Sequence, residues 1–345
     1  MNLIKITLLS LFLFGCGNSD KGKAYITSQD GGISVIDLNK MELVDSIKAG
    51  DYPRGIGVTN DGKYLITANK AGANISVINV ATKEIEKNID VGINPEFVRV
   101  YEGQVFVSTE PSSKGKPPSK KAHKEEDEDD EDRTPAKVAV VDIAAGKKVR
   151  EITAGPETEG IEFSKDGKKI IITNEADNSI TIHDFSTGDL LKTFQTEKFG
   201  LRPRGIKVSP DGNFYIATLE HSDNFIVLDK DFNHVKTVDT KYSEMGKDLH
   251  TGKSPYGVSF NATGDKLFVA ASGGYKKRST LEVYDGKTFE RIGRVKTDGR
   301  RCWHFTFTPD NKNILLACTC TKLATSVLTL LGQVVCTDWC TSGTV

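Results

Sequence analysis

The chain has 345 residues, a formal net charge of −1 at pH 7 and 37% hydrophobic residues. A charge so close to zero argues against a general nucleic-acid clamp, because such proteins neutralise many phosphates with Lys and Arg. The length and composition fit a single water-soluble domain, large for one hydrophobic core but ordinary for a repeat protein.

The first sixteen residues have the pattern of an export signal. Lys5 precedes an apolar run, Ile6–Phe14, that is too short to span a bilayer as a helix. The segment Leu13-Phe14-Gly15-Cys16 resembles the lipobox of bacterial lipoproteins, which implies a diacylated cysteine at the mature N-terminus; the alternative is an ordinary signal peptide that contains a cysteine. We therefore expect a lipid anchor on Cys16 and a tether over residues 17–23. The chain would lie outside the cytoplasm on the periplasmic side, and the lack of an aspartate after the cysteine favours the outer membrane.

From Ala24 to Lys312 the sequence repeats one pattern six times. A β-rich segment is followed by a strand ending in Ile-Asp or similar, then by another strand, and then by a Pro-x-Gly strand closed by Asp-Gly. The first copy reads Tyr25-Ile-Thr-Ser28, Ile33-Ser-Val-Ile-Asp37, Val44–Ile47, Pro53-Arg-Gly-Ile-Gly-Val58 and Asp61-Gly62. The glycine of Asp-Gly supplies the positive φ that a tight turn between antiparallel strands requires.

A period of about forty residues with four short strands is the signature of β-propeller blades. We name the Pro-x-Gly strand A and the next three B, C and D. The chain opens with B, C and D of one blade, continues through five complete blades, and then offers strand A at His304–Thr308 and strand B at Ile314–Ala317. The sequence therefore predicts an all-β fold, a seven-bladed β-propeller over residues 24–318 whose last blade is incomplete or corrupted after about residue 318.

The tail, residues 319–345, contains neither Ile-Asp nor Pro-x-Gly. Our hypothesis is a reading-frame slip near Cys318, which would remove strands C and D of the last blade and strand A of the first and leave open sheet edges. The rival interpretation is a metal or disulfide cluster made of Cys318, Cys320, Cys336 and Cys340. Outside the tail and Cys16 the cysteines are too few for a disulfide framework, so we expect none.

An insertion, residues 111–135, interrupts the repeat between strands B and C of one blade. It is rich in Lys and Pro and then carries eight consecutive acids, Glu125–Asp132. Because such a run repels itself and has nothing apolar to bury, we expect a disordered loop on one face. It could attract a cation or a basic partner, or it could be a tolerated insertion whose acids are partly neutralised by the neighbouring lysines.

The A strands of a propeller line the central channel, and the B–C loops crowd one rim of it. The candidate ligand-binding residues on the A strands are Arg54, Glu96, Glu159, Arg204, Tyr256, Trp303 and His304, and the B–C loops add Glu110, Glu175, Glu220 and His221. These residues could form a polar funnel for a small charged or metal-bearing ligand. They could equally form ion pairs that join blade to blade. His221, His250 and His304 could furnish one or two metal ligands, although histidines so widely separated in sequence are weak evidence for a metal site, and a single histidine at the rim is more often only hydrogen-bonded.

The repeat resembles the YVTN-type propeller family, a group of extracytoplasmic seven-bladed proteins. The segments that carry the resemblance are Tyr25-Ile-Thr-Ser28, Tyr64-Leu-Ile-Thr67, Ile171-Ile-Thr-Asn174, Tyr215-Ile-Ala-Thr218, Ile33-Ser-Val-Ile-Asp37 and Val138-Ala-Val-Val-Asp142. The resemblance implies the fold and says little of activity, because the family includes proteins with no established one. Relatives with a similar repeat include lactonases and the haem-binding propeller of bacterial nitrite reductase.

Two classes of function follow. The favoured one is a membrane-tethered binding or scaffold protein, monomeric, with a ligand or protein partner that the sequence does not name. The alternative is an enzyme or cofactor carrier: a lactonase with a rim metal held by Glu96 and Glu159, or a haem or quinone binder with His304 as axial ligand. The chain has no Cys-x-x-Cys-His segment for covalent haem.

Overall fold

The computed structural model describes residues 21–29, 32–112, 133–241, 252–273, 277–297, 299–319, 324–329 and 334–338, with the backbone alone for 319 and the last two segments. These residues form β-strands joined by turns, with one 3-10 helix at Glu220–Ser222. None of the helical structure in these ranges is long and apolar enough to cross a membrane. The predictions for Cys16, for most of the insertion and for residues 339–345 lie outside the described residues and stay predictions.

The strands form seven antiparallel sheets in chain order. Sheet 1 contains β1 (Lys23–Ser28), β2 (Gly32–Asp37) and β3 (Glu42–Ile47). Sheet 2 contains β4 (Pro53–Val58), β5 (Tyr64–Asn69), β6 (Asn74–Asn79) and β7 (Ile85–Asp90); sheet 3 contains β8 (Pro95–Tyr101), β9 (Gln104–Thr109), β10 (Lys137–Asp142) and β11 (Lys147–Thr153). Sheet 4 contains β12 (Thr158–Phe163), β13 (Lys169–Asn174), β14 (Ser179–Asp184) and β15 (Leu190–Gln195).

The remaining three sheets continue the same order. Sheet 5 contains β16 (Pro203–Val208), β17 (Phe214–Leu219), β18 (Asn224–Asp229) and β19 (His234–Asp239). Sheet 6 contains β20 (Pro255–Phe260), β21 (Lys266–Ala271), β22 (Thr280–Asp285) and β23 (Arg291–Lys296); sheet 7 contains β24 (Arg300–Phe307), β25 (Asn313–Thr319), β26 (Ala324–Thr329) and β27 (Val334–Asp338). Each sheet except the first therefore has an A, B, C and D strand.

The turns between A and B strands have the predicted geometry. Gly62, Gly167 and Gly212 adopt φ values of 71°, 69° and 78°. The residue before each glycine is an aspartate, and Asp61 Oδ1 accepts hydrogen bonds from Thr59 Oγ1 at 2.7 Å and from Lys63 N at 3.1 Å. The Asp-Gly pair thus closes the hairpin because the aspartate caps the turn while glycine takes the left-handed conformation.

Hydrophobic cores lie between neighbouring sheets, and they close the ring. Buried clusters join sheets 1 and 2, 2 and 3, 3 and 4, 4 and 5, 5 and 6, and 6 and 7. A seventh, smaller cluster pairs Leu38 of sheet 1 with Leu315 of sheet 7, against Ala24 and Met41. Since every sheet buries both faces against neighbours, the prediction of an all-β, seven-bladed propeller is confirmed.

The tail differs from the expectation that strands C and D of the last blade are absent. Residues 324–329 and 334–338 form β26 and β27, which pair with β25 and with each other. Both segments are rich in β-branched residues, which favour an extended backbone even where the repeat motifs are missing. Strand A of sheet 1 has no counterpart in the described ranges, as expected. The reading-frame hypothesis stays a prediction.

The described residues contain one disulfide, which the sequence did not predict. Cys302 and Cys318 form a disulfide between β24 and β25. The two residues take the places that Pro53 and Asn69 have in sheet 2, where those residues are register partners across strands A and B. Cys318 is therefore removed from the cluster proposed for the tail, whose remaining cysteine side chains lie outside the described residues. The repeat register, rather than the cysteine count, brings the two sulfurs together.

Candidate functional site

The A strands surround a central channel, because the A strands of successive sheets contact each other around the ring. In each of sheets 2 to 6 the pairing with strand B shifts between the first and fourth residues of strand A, and sheet 7 has a shift at the same place. This irregularity turns the second residue toward the channel mouth. In sheet 7 we count these positions from Cys302, which takes the place of Pro53, because β24 begins two residues earlier than the other A strands. The second residues are then Arg54, Glu96, Glu159, Arg204, Tyr256 and Trp303.

The entry to each A strand has a shared backbone conformation. The residue before the strand has a positive φ of 49° to 58° in all six cases, namely Tyr52, Asn94, Glu157, Arg202, Ser254 and Arg301. In sheets 2 to 6 its carbonyl accepts a hydrogen bond of 2.9–3.0 Å from the N–H after strand B, which belongs to Lys70, Glu110, Glu175, Glu220 and Ser272 respectively. Left-handed non-glycine residues cost free energy and concentrate where function fixes the backbone. This bond therefore holds the A-strand entries and the B–C loops together at one mouth.

Arg204 is the centre of a buried ion-pair network on one side of the mouth. Its Nε lies 2.7 Å from Glu175 Oε1, and its Nη1 donates to Glu220 Oε2 at 2.8 Å. Its Nη2 donates to Glu159. Arg202 donates to Glu175 as well. Although burial alone would lower it, the three carboxylates raise the pKa of Arg204, so the guanidinium stays charged.

A second group of ion pairs lies one sheet further round. Glu96, whose side chain is 3% exposed, pairs with Arg54 and with Lys70 Nζ at 2.8 Å. Deeper in the channel, at the fifth residue of each A strand, Glu162 accepts two hydrogen bonds from Arg99 at 2.9 and 3.0 Å and lies 2.7 Å from Lys207. The charged residues of both layers belong to sheets 2 to 5, and we call this arc the charged side.

Two carboxyl groups on the charged side have opposite electrostatic states. Burial acts to raise the pKa of Glu159, but contact with Arg204 and the field of Arg54 lower it to about 2. Burial raises the pKa of Glu110 well above its usual range, and the negative charges of Glu96 and Glu159 raise it further. The Glu110 side chain makes no ion pair with any described residue, so burial and the neighbouring negative charges both favour its protonated form.

The opposite arc, formed by sheets 6 and 7, presents rings in place of ion pairs, and we call it the aromatic side. It consists of Tyr256, Trp303 and His304. The Tyr256 and Trp303 rings have centroids 5.8 Å apart, and Tyr256 donates from its hydroxyl to Glu220 at 2.6 Å. Arg204 lies 4.6 Å from the Tyr256 ring centroid. Trp303 Nε1 is buried without a hydrogen-bond acceptor among the described residues.

His304 extends into the channel from the third position of its strand, where four of the other five A strands have glycine. Its ring centroid lies 6.3 Å from that of Phe97 in sheet 3. The side chain is exposed to the channel, and protein atoms of the surrounding sheets partly desolvate the imidazole. This desolvation lowers the pKa of the imidazole, Glu159 opposes the effect, and Arg204 and Arg54 add to it. At neutral pH His304 is therefore an uncharged imidazole that a ligand can reach.

The structure brings the predicted A-strand residues and Glu175 together at one mouth. His221 lies on the 3-10 helix of a B–C loop with an exposed side chain, its Nε2 4.0 Å from Glu220 Oε1. His250 lies outside the described residues. The described ranges hold no group of three His, Cys, Asp or Glu residues placed to bind a metal, and Glu96 and Glu159, the proposed rim-metal ligands, are each paired with an arginine.

Sequence reasoning missed three residues of the mouth. Lys70 follows strand B as Glu110 and Glu175 do, so its position in the repeat was a usable signal. Arg202 directly precedes the proline of strand A, and the residue before each A strand could have been read in the same way. Phe97 stands in the position of the glycine of Pro-x-Gly. This replacement indicates an A strand with a side chain that fills the channel at that position.

Two family models match separate parts of the chain. One, described as a YNCE-like beta-propeller, matches residues 20–103. The other, described as a lactonase, 7-bladed beta-propeller, matches residues 140–242. Both matches support a β-propeller, but neither singles out the YVTN repeat.

Protein NirF of Pseudomonas aeruginosa is 22% identical to this chain over 305 residues, which is 86% of this chain and 63% of that protein. A functionally unknown protein from Desulfotomaculum acetoxidans superposes with a TM-score of 0.71 at 14% identity, covering 91% of this chain and 94% of that one. Kuenenia stuttgartiensis hydrazine synthase superposes with a TM-score of 0.68 at 15% identity, covering 93% of each chain. At these identities the structural likeness shows the fold alone. The chain is a β-propeller protein.

Proposed function

We propose that this protein is a non-catalytic binding protein that holds a small ligand on the aromatic side of the channel mouth. The single observation that carries the proposal is His304, an uncharged imidazole that faces the channel and makes no hydrogen bond with a described residue. Trp303, beside it in sequence, has a buried Nε1 without an acceptor. Buried polar groups are normally satisfied, so the unpaired Trp303 Nε1 and the exposed imidazole of His304 next to it in sequence are a ready pair of contacts for a ligand.

The charged side supports the same assignment by contrast. Arg54 and Arg204 are already bound to glutamates, so their charge is largely neutralised within the protein. A charged ligand would have to displace a buried ion pair, which leaves its other member unpaired at a cost of about 3–5 kcal/mol. The charged side is therefore a rigid wall, and the aromatic side offers contacts at lower cost.

The ligand test compares the full-length protein with two variants on the same strand. We expect native mass spectrometry and the absorption spectrum of the purified protein to reveal a bound small molecule. His304→Ala should lose the bound molecule. Thr306→Ala, two residues further along the same strand and deeper in the channel, should keep it. Retention of the molecule by His304→Ala would overturn the assignment of the site.

The membrane tether is part of the proposal and depends on the sequence of the export signal. Leu13, Gly15 and Cys16 match the lipobox pattern, while Phe14 is bulkier than the usual residue. We propose lipid attachment at Cys16 and an extracytoplasmic location. Fractionation of cells should place the unmodified protein in the membrane and Cys16→Ser in the soluble extracytoplasmic fraction; a cytoplasmic location of the unmodified protein would contradict it.

A carrier of a planar metal-containing cofactor is the second candidate. A neutral imidazole can coordinate the metal of such a group, and the rings of Phe97, Tyr256 and Trp303 offer flat apolar faces. When bound, the cofactor would supply the metal and His304 one ligand to it. Titration with haemin should give a Soret band that His304→Ala lacks; no spectral difference between the two proteins would remove this candidate.

A lactonase has weaker support. The matched lactonase segment, residues 140–242, contains Glu159 and Arg204 but neither Glu96 nor His304. Because Glu96 and Glu159 are engaged by arginines, they are poorly placed to hold a metal ion as well. Metal-dependent hydrolysis of a lactone that disappears in Glu96→Gln would favour catalysis over binding.

A further inference from the structure

A cleft with a volume of about 450 Å³ lies between sheets 2 and 3. It is on the face of the ring opposite the channel mouth. The A strands begin at the mouth, whereas the A–B turns of both sheets and the C–D turn of sheet 3, which line the cleft, lie at the other ends of the strands. The apolar part of the lining consists of Tyr64, Val77, Val100 and Ile143. A cleft of this volume and composition can take a small organic molecule.

The cleft exists because aromatic rings are missing from four positions. Between sheets 3 and 4 these positions carry rings whose neighbouring centroids lie 3.9–5.9 Å apart. The four rings belong to Tyr101, Phe106, Phe163 and Phe185. By strand register and by place in the turns, their equivalents between sheets 2 and 3 are Thr59, Ile66, Val100 and Ile143. Because each of these side chains is smaller than its aromatic counterpart, space that is filled at one interface stays open at the other.

Charge also distinguishes the cleft. It is lined by three carboxylates, those of Asp61, Glu86 and Asp142, and by one ammonium, that of Lys87, whose Nζ donates to the carbonyl of Ile143 at 3.2 Å. Glu86 is specific to this place, because it is the extra residue at the β-bulge of β7 and the same position in five other D strands has an exposed aliphatic side chain. Those five residues are Val44, Val149, Leu191, Val235 and Ile292.

The protein does not neutralise all of this negative charge. Asp61 pairs with Lys63 at 3.4 Å. Glu86 accepts a hydrogen bond of 2.7 Å from Asn79 Nδ2, which is an uncharged amide, and none of the described residues forms an ion pair with it. The Glu86 carboxylate can therefore attract a cation into the cleft.

We propose that this cleft binds a small organic cation that carries an aromatic ring, an arylalkylamine. The ring of the ligand occupies the space in which phenyl rings pack at the next interface, and its ammonium group lies against the carboxylate of Glu86. The ring of Tyr64 offers a face to either part of the ligand. The proposal is independent of the proposed function, since Trp303 and His304 are at the opposite face of the ring.

The first experiment compares three ligands of nearly equal size on the full-length protein. Isothermal titration calorimetry should show saturable binding of 2-phenylethylamine with a dissociation constant in the millimolar range or below. The neutral 2-phenylethanol, which has the same ring and chain, should bind more weakly because it lacks the cation. The anion phenylacetate should bind most weakly, since the carboxylates of the cleft repel it.

Two variants locate the amine in the cleft. Ile143→Phe introduces the ring that Phe185 supplies at the next interface, so it should fill the cleft and abolish the binding of 2-phenylethylamine without lowering the thermal midpoint. Glu86→Gln removes the charge from an exposed side chain and should weaken binding about threefold, the effect of one solvent-exposed ion pair. The matched control is Glu84→Gln, which removes the same charge from a residue outside the lining and should leave the affinity unchanged.

Three results would overturn the proposal. The first is the absence of saturable binding of 2-phenylethylamine by the unmodified protein, and the second is equal binding of the amine and the alcohol. The third is unchanged binding by folded Ile143→Phe, which would place the amine elsewhere on the protein. If Ile143→Phe does not fold, Glu86→Gln decides the matter, and an affinity equal to that of Glu84→Gln would remove the proposal.

Discussion

The charged and aromatic sides of the channel mouth are built on the same backbone but have opposite physical properties. On the charged side Arg204 forms ion pairs with three carboxylates. On the aromatic side the buried Trp303 Nε1 has no acceptor among the described residues, and His304 is exposed to the channel and makes no ion pair with a described residue. The comparison teaches that one repeat position can form ion pairs in some blades and present an aromatic ring in others, depending on which side chains stand in the neighbouring blades.

The largest expected effect is on the charged side. Arg204→Met should destabilise the fold by about 3 kcal/mol, because the buried Glu175 and the half-buried Glu159 and Glu220 lose their shared cation. Urea unfolding measures the change. Lys63→Met is the matched control, since its ion pair with Asp61 is solvent-exposed and should contribute little to stability. A cost below 1 kcal/mol for Arg204→Met would mean that the charged side does not stabilise the ring.

Acid should weaken the charged side through Glu159. Its pKa is about 2 in the folded protein against a usual 4.5, so its contribution is fully present above pH 4.5 and is lost as the pH falls toward 2. The loss is about 3 kcal/mol at most. Unfolding measured from pH 5 to pH 2 should show a flatter profile for Glu159→Gln than for the unmodified protein. Parallel profiles would contradict the assignment.

The contribution of Glu110 to stability should depend on pH in the opposite direction. Its pKa is raised in the folded state, so its contribution to stability is present below pH 4.5 and falls as the pH rises. Glu110→Gln keeps the shape of the side chain and removes the ionisation. We expect its thermal midpoint at pH 8 to exceed that of the unmodified protein by a few degrees, with the difference shrinking at pH 5. A lower midpoint at pH 8 would show that the ionised carboxylate is stabilising.

The smallest effect on stability is expected on the aromatic side. His304→Ala should change the free energy of unfolding by less than about 1 kcal/mol, because the ring faces the channel and makes no hydrogen bond with a described residue. Chemical denaturation gives the value. Tyr256→Phe is the informative comparison, since the Tyr256 hydroxyl donates to Glu220. If His304→Ala were as costly as Arg204→Met, the distinction between the two sides would fail.

The repeat made much of the fold predictable. The Asp-Gly and Pro-x-Gly motifs predicted the positions of the turns and of the A strands because each glycine is required locally. Gly62 adopts a positive φ, and a Cβ at Gly55 would collide with a neighbouring carbonyl oxygen. Burial of the strands followed from the same pattern. The A-strand residues of the mouth were also readable, since equivalent positions in a ring converge on its axis.

The ion pairs, the disulfide and the last two strands could not be predicted from the sequence in the same way. Glu96 could have faced Arg54, Arg204 or solvent, and only the order and spacing of the blades selects Arg54 and Lys70. The disulfide was missed because cysteine counting carries no register, whereas β24 and β25 place Cys302 opposite Cys318. The strands β26 and β27 were missed because strand pairing depends on β-propensity and a partner edge as well as on motifs.

The sequence by itself determined that seven small sheets form a ring and which residues reach its centre, because those properties depend on a local pattern repeated along the chain. Only the tertiary structure decided the state of each group at the mouth: which acids form ion pairs, in which direction the pKa of each buried acid is shifted, and that His304 is reachable from the channel. These properties depend on desolvation and on charges contributed by several blades. Because the contributing residues are far apart in the sequence, no single segment of it predicts their combined effect.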